Sequence, residues 1–282
     1  MIHNKILPIL IVLLFSYFTQ TLFGQTQAGG MKVTLEEKNG SLTIISSQGT
    51  VKELVIPAAI NGMPVTAIGK GAFTQRGLTK LVIPDSVTVI EEQAFSFNEL
   101  SSLVIGDNVV SIGQRAFYSN RLETVTLGRA VSEIGMGAFA ENNLAEITLP
   151  ESITSIGAYS FFFNRLRSVT IPGRVSFLGE GAFSSNRIHT LVINNGVEEI
   201  GDGAFFNNRL ISITIPYSVR DLGKRVFESR NTQVASQPPV DYLNEKGEVL
   251  LTTANNFDTY YAANGKKAGK YTFFRDGWTF GE

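Results

Sequence analysis

Three arginines recur at a constant interval of 22 residues, and each directly follows an asparagine. They are Arg165, Arg187 and Arg209. If successive repeats stack at the interstrand distance of about 4.8 Å, the guanidinium groups form a row that can bind an anionic glycan or an acidic protein. Like charges at that distance repel each other by about 1 kcal/mol in water. The competing interpretation is therefore a solvated rim with acidic partners nearby.

A second set of candidate binding residues occupies the outward positions of predicted short strands. These residues share a small, β-branched side chain: Thr126, Thr148, Thr170, Val192 and Thr214. Such residues suit exposed strands by propensity alone. Solenoids also bind partners along a continuous sheet, so the same positions form a candidate docking surface for a protein or a glycan.

The residues needed for metal or nucleophilic catalysis are scarce. The chain has no cysteine, and its two histidines are His3 and His189. This leaves almost no material for a metal cluster or a serine–histidine–aspartate triad. Gly-x-Gly triplets such as 201–203 recur with the repeat, whereas a nucleotide-binding loop is unique and opens a long helix. A net charge of −1 does not fit nucleic-acid binding. We expect a non-enzymatic protein that needs no cofactor.

The residues that must position these side chains form a repeat. Phenylalanine recurs every 22 residues, at positions 73, 95, 117, 139, 161, 183, 205 and 227, within the pattern L-x-x-[LIV]-x-[IL]-[PG]-x-x-V-x-x-I-G-x-x-A-F-x-x-N-x. A period in this range is typical of a solenoid. We predict a mainly β leucine-rich-repeat solenoid, with a parallel sheet of about eight 22-residue coils and a short helical turn at each Ala-Phe. The recurring asparagine, such as Asn98, is expected to satisfy backbone groups of two coils.

Three segments carry a resemblance to a known family: LVIPDSVTVIEEQAF, ITLPESITSIGAYSFFFN and VKELVIPAAINGMPVTAIGKGAF. They resemble the BspA-like, treponemal-type leucine-rich repeats, and the resemblance extends over residues 51–230. It implies a secreted or surface-exposed bacterial protein of an adhesin-like class. The family has no catalytic residues to transfer to this chain.

The chain divides into four predicted regions. Residues 1–28 are a signal peptide, because the apolar run 6–18 is too short for a confident membrane span and is followed by candidate cleavage sites after Gly24 or Ala28. Residues 29–50 are an N-terminal hairpin cap around Asn39-Gly40, and residues 51–236 are the solenoid. Residues 237–282 are a small, aromatic-rich α/β cap, with strands at 248–253, 269–274 and 278–280 and a helix at 256–263.

These observations predict an exported protein without a membrane span in its mature form. It is expected to be secreted or attached to the cell surface, with the periplasm as the other location. Its partner is expected to be a protein or glycan of a host matrix, a host cell or a neighbouring bacterium, bound by the sheet face or the arginine row. The alternative is a structural or self-associating component of the cell envelope.

Overall fold

The computed structural model describes residues 24–28, 30–210, 212–214, 216, 218–228, 241–243, 249–252, 271–274 and 277–280. The first strands are β1 (Gly24–Ala28), β2 (Met31–Lys38), β3 (Ser41–Gln48), β4 (Glu53–Val55), β5 (Ala59–Ile60), β6 (Met63–Ile68), β7 (Lys80–Ile83) and β8 (Val89–Ile90). The central strands are β9 (Ser102–Ile105), β10 (Ser111–Ile112), β11 (Thr124–Thr126), β12 (Glu133–Ile134), β13 (Ser155–Ile156), β14 (Ser168–Ile171), β15 (Phe177–Leu178) and β16 (Thr190–Ile193). The last are β17 (Glu199–Ile200), β18 (Ser212–Thr214), β19 (Asp221–Leu222), β20 (Asp241–Leu243), β21 (Val249–Thr252), β22 (Tyr271–Phe274) and β23 (Gly277–Phe280).

Each coil contributes one very short strand to a single parallel row. This row runs β6-β8-β10-β12-β13-β15-β17-β19 and pairs residues 22 positions apart, as in Ile90 with Ile112 and Ile112 with Ile134. The inward isoleucine or leucine of each strand is buried. The predicted parallel solenoid of about eight turns is thus confirmed.

The second strand of each coil forms a less regular row. Strands β4, β7, β9 and β11 form one parallel sheet, whereas β14 pairs with β16 and β18 pairs with β20. Residues 146–149 form no strand, so the row is interrupted between β11 and β14. Next to this gap, Val125, Leu127 and Ile147 are only half-buried. The core is therefore less tightly closed in these two coils than in those before them.

The eight repeat phenylalanines form a continuous stack, which we call the phenylalanine column. Neighbouring rings are nearly parallel, and their centroids lie between 4.9 Å (Phe161–Phe183) and 5.9 Å (Phe205–Phe227) apart. The rings from Phe73 to Phe205 are completely buried. Because each coil contributes one ring, the ring spacing measures the distance between coils directly.

The chain around each phenylalanine is not helical, so the predicted helical turns are wrong. No helix occurs among the residues described above. For each repeat phenylalanine from Phe73 to Phe205, the residues two before and two after it take positive φ, as in Gln93 (56°) and Phe97 (55°). The backbone thus enters the left-handed region twice within five residues. The N–H groups of Gln93, Phe95 and Phe97 consequently point at the next coil, donating to carbonyl oxygens at 2.8, 2.8 and 2.9 Å. A helix would direct those donors along its own chain.

Both ends of the array carry additional strands. At the N-terminus, β2 and β3 form the predicted hairpin around Asn39-Gly40, β1 pairs antiparallel with β2, and β3 pairs parallel with β6. At the C-terminus, β23 pairs antiparallel with β19 and β22. Strands β21, β22 and β23 fall within or beside the predicted positions, whereas the predicted helix at 256–263 lies outside the described residues. The part of the chain described contains no helix long and apolar enough to cross a membrane.

Candidate functional site

A buried asparagine ladder fixes the backbone that carries the arginine row. The Nδ2 group of Asn164 donates to the carbonyl oxygens of Phe139 at 2.9 Å and Phe161 at 3.3 Å, and its Oδ1 accepts the N–H of Leu144 at 3.0 Å. Asn186 and Asn208 repeat this arrangement in the next two coils. The ladder thus joins adjacent coils, as predicted. Each arginine directly follows an asparagine whose side chain is hydrogen-bonded both to its own coil and to the preceding one.

The three arginines are fixed by hydrogen bonds of their backbone N–H groups, whereas their side chains extend into solvent. The N–H groups of Arg165, Arg187 and Arg209 donate to the preceding coil, to the carbonyl oxygens of Leu144, Leu166 and Ile188 at 2.9, 3.0 and 2.8 Å. All three side chains are exposed. Within the described residues none of them has an acid within 4 Å, so the solvated rim of the competing interpretation is found here, but not its acidic partners.

The same repeat position behaves differently two coils before Arg165. Arg121 occupies it in the coil of Phe117, and its guanidinium lies 3.7 Å from the carboxylate of Glu99 in the adjoining coil. Asn143 occupies it in the next coil and brings no charge. The coils of Arg165, Arg187 and Arg209 therefore place three positive charges side by side without the acid that balances Arg121.

The arginine row lies in a groove of about 400 Å³. We call this the arginine groove; besides the three arginines and the asparagine ladder, it is lined by Asn143, Phe163, Ser185 and Asn207. Phe163 is 62% exposed, which is the largest exposure of any bulky apolar side chain in the described chain. The groove therefore combines positive charge, amide and hydroxyl groups, and one apolar ring.

This aromatic component of the groove was not predicted from the sequence. The ring of Phe163 lies 6.0 Å from that of Phe162, which in turn lies 6.0 Å from the ring of Tyr159, so Phe163 belongs to a small aromatic cluster beside the groove. Tyr159 donates a hydrogen bond to the carboxylate of Glu180, which raises its pKa to about 12. The available signal was the run 161–163 of three phenylalanines, because the position of Phe163 is serine, asparagine or glutamate in the neighbouring coils.

The strand residues proposed as a docking surface are not brought onto one sheet. Thr126 lies on β11 beside Val104, whereas Thr170 lies on β14 beside Val192. Thr148 is exposed but belongs to no strand, and Thr214 lies on β18 opposite Leu243. Because the interruption at 146–149 separates Thr126 from Thr170, these residues do not form the flat continuous face that the repeat predicts.

No group of three or more histidine, cysteine, aspartate or glutamate residues could hold a metal ion in the chain as far as it is described. His189 is exposed, and its Nδ1 lies 3.0 Å from the hydroxyl of Thr190. The arrangement of the groove is suited to binding, since its charged groups are arginines, which do not deprotonate in proteins and so do not exchange protons with a substrate.

The fold and the site define a parallel β-solenoid of the leucine-rich repeat class. The sequence matches the family described as "BspA type Leucine rich repeat region" in six copies, over residues 66–189 and 116–234. These matches together cover more than half of the chain, which belongs to this family. Leucine-rich repeat families are generally non-enzymatic scaffolds that bind other proteins.

Solved structures with the same fold are bacterial leucine-rich repeat proteins. The T. pallidum leucine rich repeat protein is 26% identical, with a TM-score of 0.55 over 63% of this chain and 85% of that one. A leucine rich cell surface protein from Faecalibacterium prausnitzii is 24% identical, with a TM-score of 0.56 over 86% of this chain. The match covers 59% of the F. prausnitzii protein, and it shows the fold alone. No curated protein matches this chain in sequence.

Proposed function

We propose that the chain is an exported, non-enzymatic protein of an adhesin-like kind, which binds a macromolecule of a host matrix, a host cell or a neighbouring bacterium through the arginine groove. The observation that carries this proposal is the row formed by Arg165, Arg187 and Arg209, whose charges are not balanced by any acid among the described residues. Arginine and aromatic side chains dominate the binding energy of many interfaces, and this groove contains both.

The groove is a better binding surface than the strand face. Thr126 lies on a different sheet from Thr170 and Val192, and all three offer few groups of the kind that anchor a partner. The arginines instead project from a backbone fixed by the asparagine ladder, so little conformational freedom of the main chain is lost on binding.

Export is supported by the apolar run of residues 6–18 and by the description of the F. prausnitzii relative as a cell surface protein. A cleavage after Gly24 would leave most of β1 in place, whereas a cleavage after Ala28 would remove the strand that pairs with β2. We therefore favour the earlier of the two processing sites and a location outside the cytoplasm.

The test is binding of the mature protein to intact cells and to immobilised matrix proteins and glycans. The triple variant Arg165→Ala, Arg187→Ala, Arg209→Ala is compared with a control that removes the same charge from other exposed positions, Arg129→Ala, Arg174→Ala, Arg220→Ala. We expect saturable binding that only the first variant loses. Absence of binding to all of these surfaces, together with protection from added protease on producing cells, would overturn the proposal in favour of an internal envelope component.

A further inference from the structure

We infer that the ligand of the arginine groove is a linear anionic glycan whose consecutive sugars carry carboxylate or sulfate groups. This inference rests on the proposed binding function and specifies the chemistry of the partner. Three properties of the groove support it: the uncompensated charge, the spacing between coils, and the uncharged groups that line it.

The charge of the groove is available to a ligand. Six other basic residues of the described solenoid have an acid within 4 Å: Lys52, Lys70, Lys80, Arg121 and Arg129, at 3.3, 2.7, 2.8, 3.7 and 2.6 Å, and Arg225, which pairs with Glu228. Arg165, Arg187 and Arg209 have no such partner and are stacked on successive coils. A guanidinium group can hold a carboxylate or a sulfate through two parallel N–H bonds, so the row offers up to three such sites in line.

The spacing of the row favours a glycan over an acidic peptide. The phenylalanine rings of these coils lie 4.9 Å (Phe161–Phe183) and 5.5 Å (Phe183–Phe205) apart, which gives the distance from one arginine position to the next. Side chains on one face of an extended peptide recur at about 6.7 Å, because alternate residues point to opposite sides. A sugar ring advances an extended glycan by nearly one coil spacing. Successive sugars can therefore meet successive arginines without a growing mismatch.

The uncharged lining also suits a sugar chain. The exposed ring of Phe163 lies at the level of Arg165, where it offers a flat apolar surface to the face of a sugar ring. Asn143, Ser185 and Asn207 are distributed along the same groove, and Asn207 Nδ2 already donates to Ser185 Oγ at 3.3 Å. An aromatic ring that orients the ligand and a few polar groups that bind its hydroxyls are typical of small-ligand sites. Because the lining spans four coils, the site accommodates about three or four sugars.

The experiment measures direct binding of four probes to the full mature protein. The probes are a heparin octasaccharide, an oligogalacturonate octasaccharide, which carries a carboxylate on every sugar, an octaglutamate peptide and a neutral maltooligosaccharide. We expect saturable binding of at least one anionic glycan, little binding of the neutral sugar, and affinity that falls as salt is added because exposed charges are screened. Octaglutamate should bind about tenfold more weakly than the glycan, since its carboxylates do not match the coil spacing.

Variants of the protein locate the binding site and distinguish the contribution of the arginine charges from that of the Phe163 ring. The triple alanine variant at 165, 187 and 209 should weaken glycan binding by about tenfold to a hundredfold, whereas the control at 129, 174 and 220 should change it by less than about twofold. Phe163→Asn should weaken binding of the glycan but leave binding of octaglutamate unchanged. Asparagine is tolerated at this repeat position, because Asn207 occupies it, with positive φ, two coils later. Circular dichroism confirms that each variant keeps the fold.

The outcomes distinguish this inference from the proposed function. Octaglutamate binding as tight as the glycan, or glycan binding that survives the triple variant, would overturn the glycan assignment. In either case, arginine-dependent binding to cells or matrix proteins would leave the proposed function intact. Failure of every anionic probe, with binding to matrix proteins retained, would also overturn the glycan assignment alone. If the anionic probes do not bind and binding to cells and matrix proteins is also absent, both the glycan assignment and the proposed function are overturned.

Discussion

Asn142 donates through Nδ2 to the carbonyl oxygen of Phe117 at 3.0 Å, a residue one full coil earlier in the chain. The same nitrogen donates to Phe139 in its own coil at 3.1 Å, and its Oδ1 accepts the N–H of Leu122 at 3.0 Å. One amide therefore satisfies backbone groups that otherwise would be buried without a partner.

We expect Asn142→Asp to destabilise the solenoid by about 3 kcal/mol or more, because an aspartate cannot donate to the two carbonyl groups and would place a charge in a buried site. Asn143→Asp is the matched control, because Asn143 is only half-buried and its side chain makes no hydrogen bond within the described chain. Urea unfolding followed by circular dichroism measures both. Equal midpoints for the two variants would contradict the structural role of the ladder.

The phenylalanine column predicts a large effect of Phe139→Ala. This ring stacks on Phe117 at 5.3 Å and on Phe161 at 5.4 Å and is completely buried. Truncation leaves a cavity in the middle of the array and should cost about 3–5 kcal/mol. Phe177→Ala provides the comparison, since Phe177 is 47% exposed on β15, and its loss should change the free energy of unfolding by about 0.5 kcal/mol or less. A Phe139→Ala protein with the wild-type thermal midpoint would exclude this packing.

The close approach of coils at the repeat glycine predicts a steric effect. A Cβ atom at Gly157 would lie 2.7 Å from the backbone nitrogen of Met136 and 2.8 Å from the carbonyl carbon of Gly135. Gly157→Ala should therefore push two coils apart and cost about 1–3 kcal/mol. Gly69→Ala should cost less, because the nearest atom there, the carbonyl oxygen of Ile44, is 3.1 Å away. Differential scanning calorimetry of the two variants would reveal the difference; a larger loss at Gly69 would argue against the inter-coil contact.

The hydrogen bond between Tyr159 and Glu180 predicts a dependence on alkaline pH. The pKa of Tyr159 rises from 10.0 to about 12, first because of this bond and then because of burial. Since the pKa is higher in the folded protein, the stability gained from the bond is fully present below about pH 10 and is lost as the pH rises through about 12.

Glu180→Ala should lower the pKa of Tyr159 toward 10.0. The shift is measured as the difference in phenolate absorbance between each protein and its Tyr159→Phe counterpart. Glu123→Ala, which removes another exposed carboxylate, should leave the titration unchanged. An unshifted titration in Glu180→Ala would show that the carboxylate does not control this phenol.

The regular part of the fold could be predicted because the same residue types recur at the same position of every coil. The 22-residue spacing of phenylalanine and the buried asparagine at Asn142 follow from packing and hydrogen bonding that every coil repeats. The turn conformation was only partly indicated by the sequence. Glycine, the usual signal of positive φ, occupies the position of Gln93 in four other coils, as Gly71, Gly137, Gly181 and Gly203, but it is absent at the position of Phe97, where ordinary residues take the left-handed conformation.

The candidate site was predicted only in part. The row of arginines followed from the repeat, but its lack of acidic partners depended on which neighbouring coils carry an acid, as Glu99 does for Arg121. Phe163 was overlooked because apolar residues at a repeat position are first assigned to the core. The gap at 146–149 has no evident cause in the sequence, which continues the alternation of outward Thr148 and inward Leu149.

The backbone donors along the phenylalanine column give the array a direction. Near the beginning of the array, the backbone N–H of Gly71 donates to the carbonyl oxygen of Glu92 at 2.9 Å. Near its end, the backbone N–H of Gly203 donates to the carbonyl oxygen of Lys224 at 2.8 Å. These N–H groups thus point from the first coil toward the last. The two ends are therefore chemically opposite: one is an acceptor end, where Ser47 Oγ already donates to the carbonyl of Ala72 at 2.7 Å, and the other is a donor end. Any continuation of this column, by an inserted repeat or by another molecule, must keep the same polarity, because two donor ends cannot hydrogen-bond to each other.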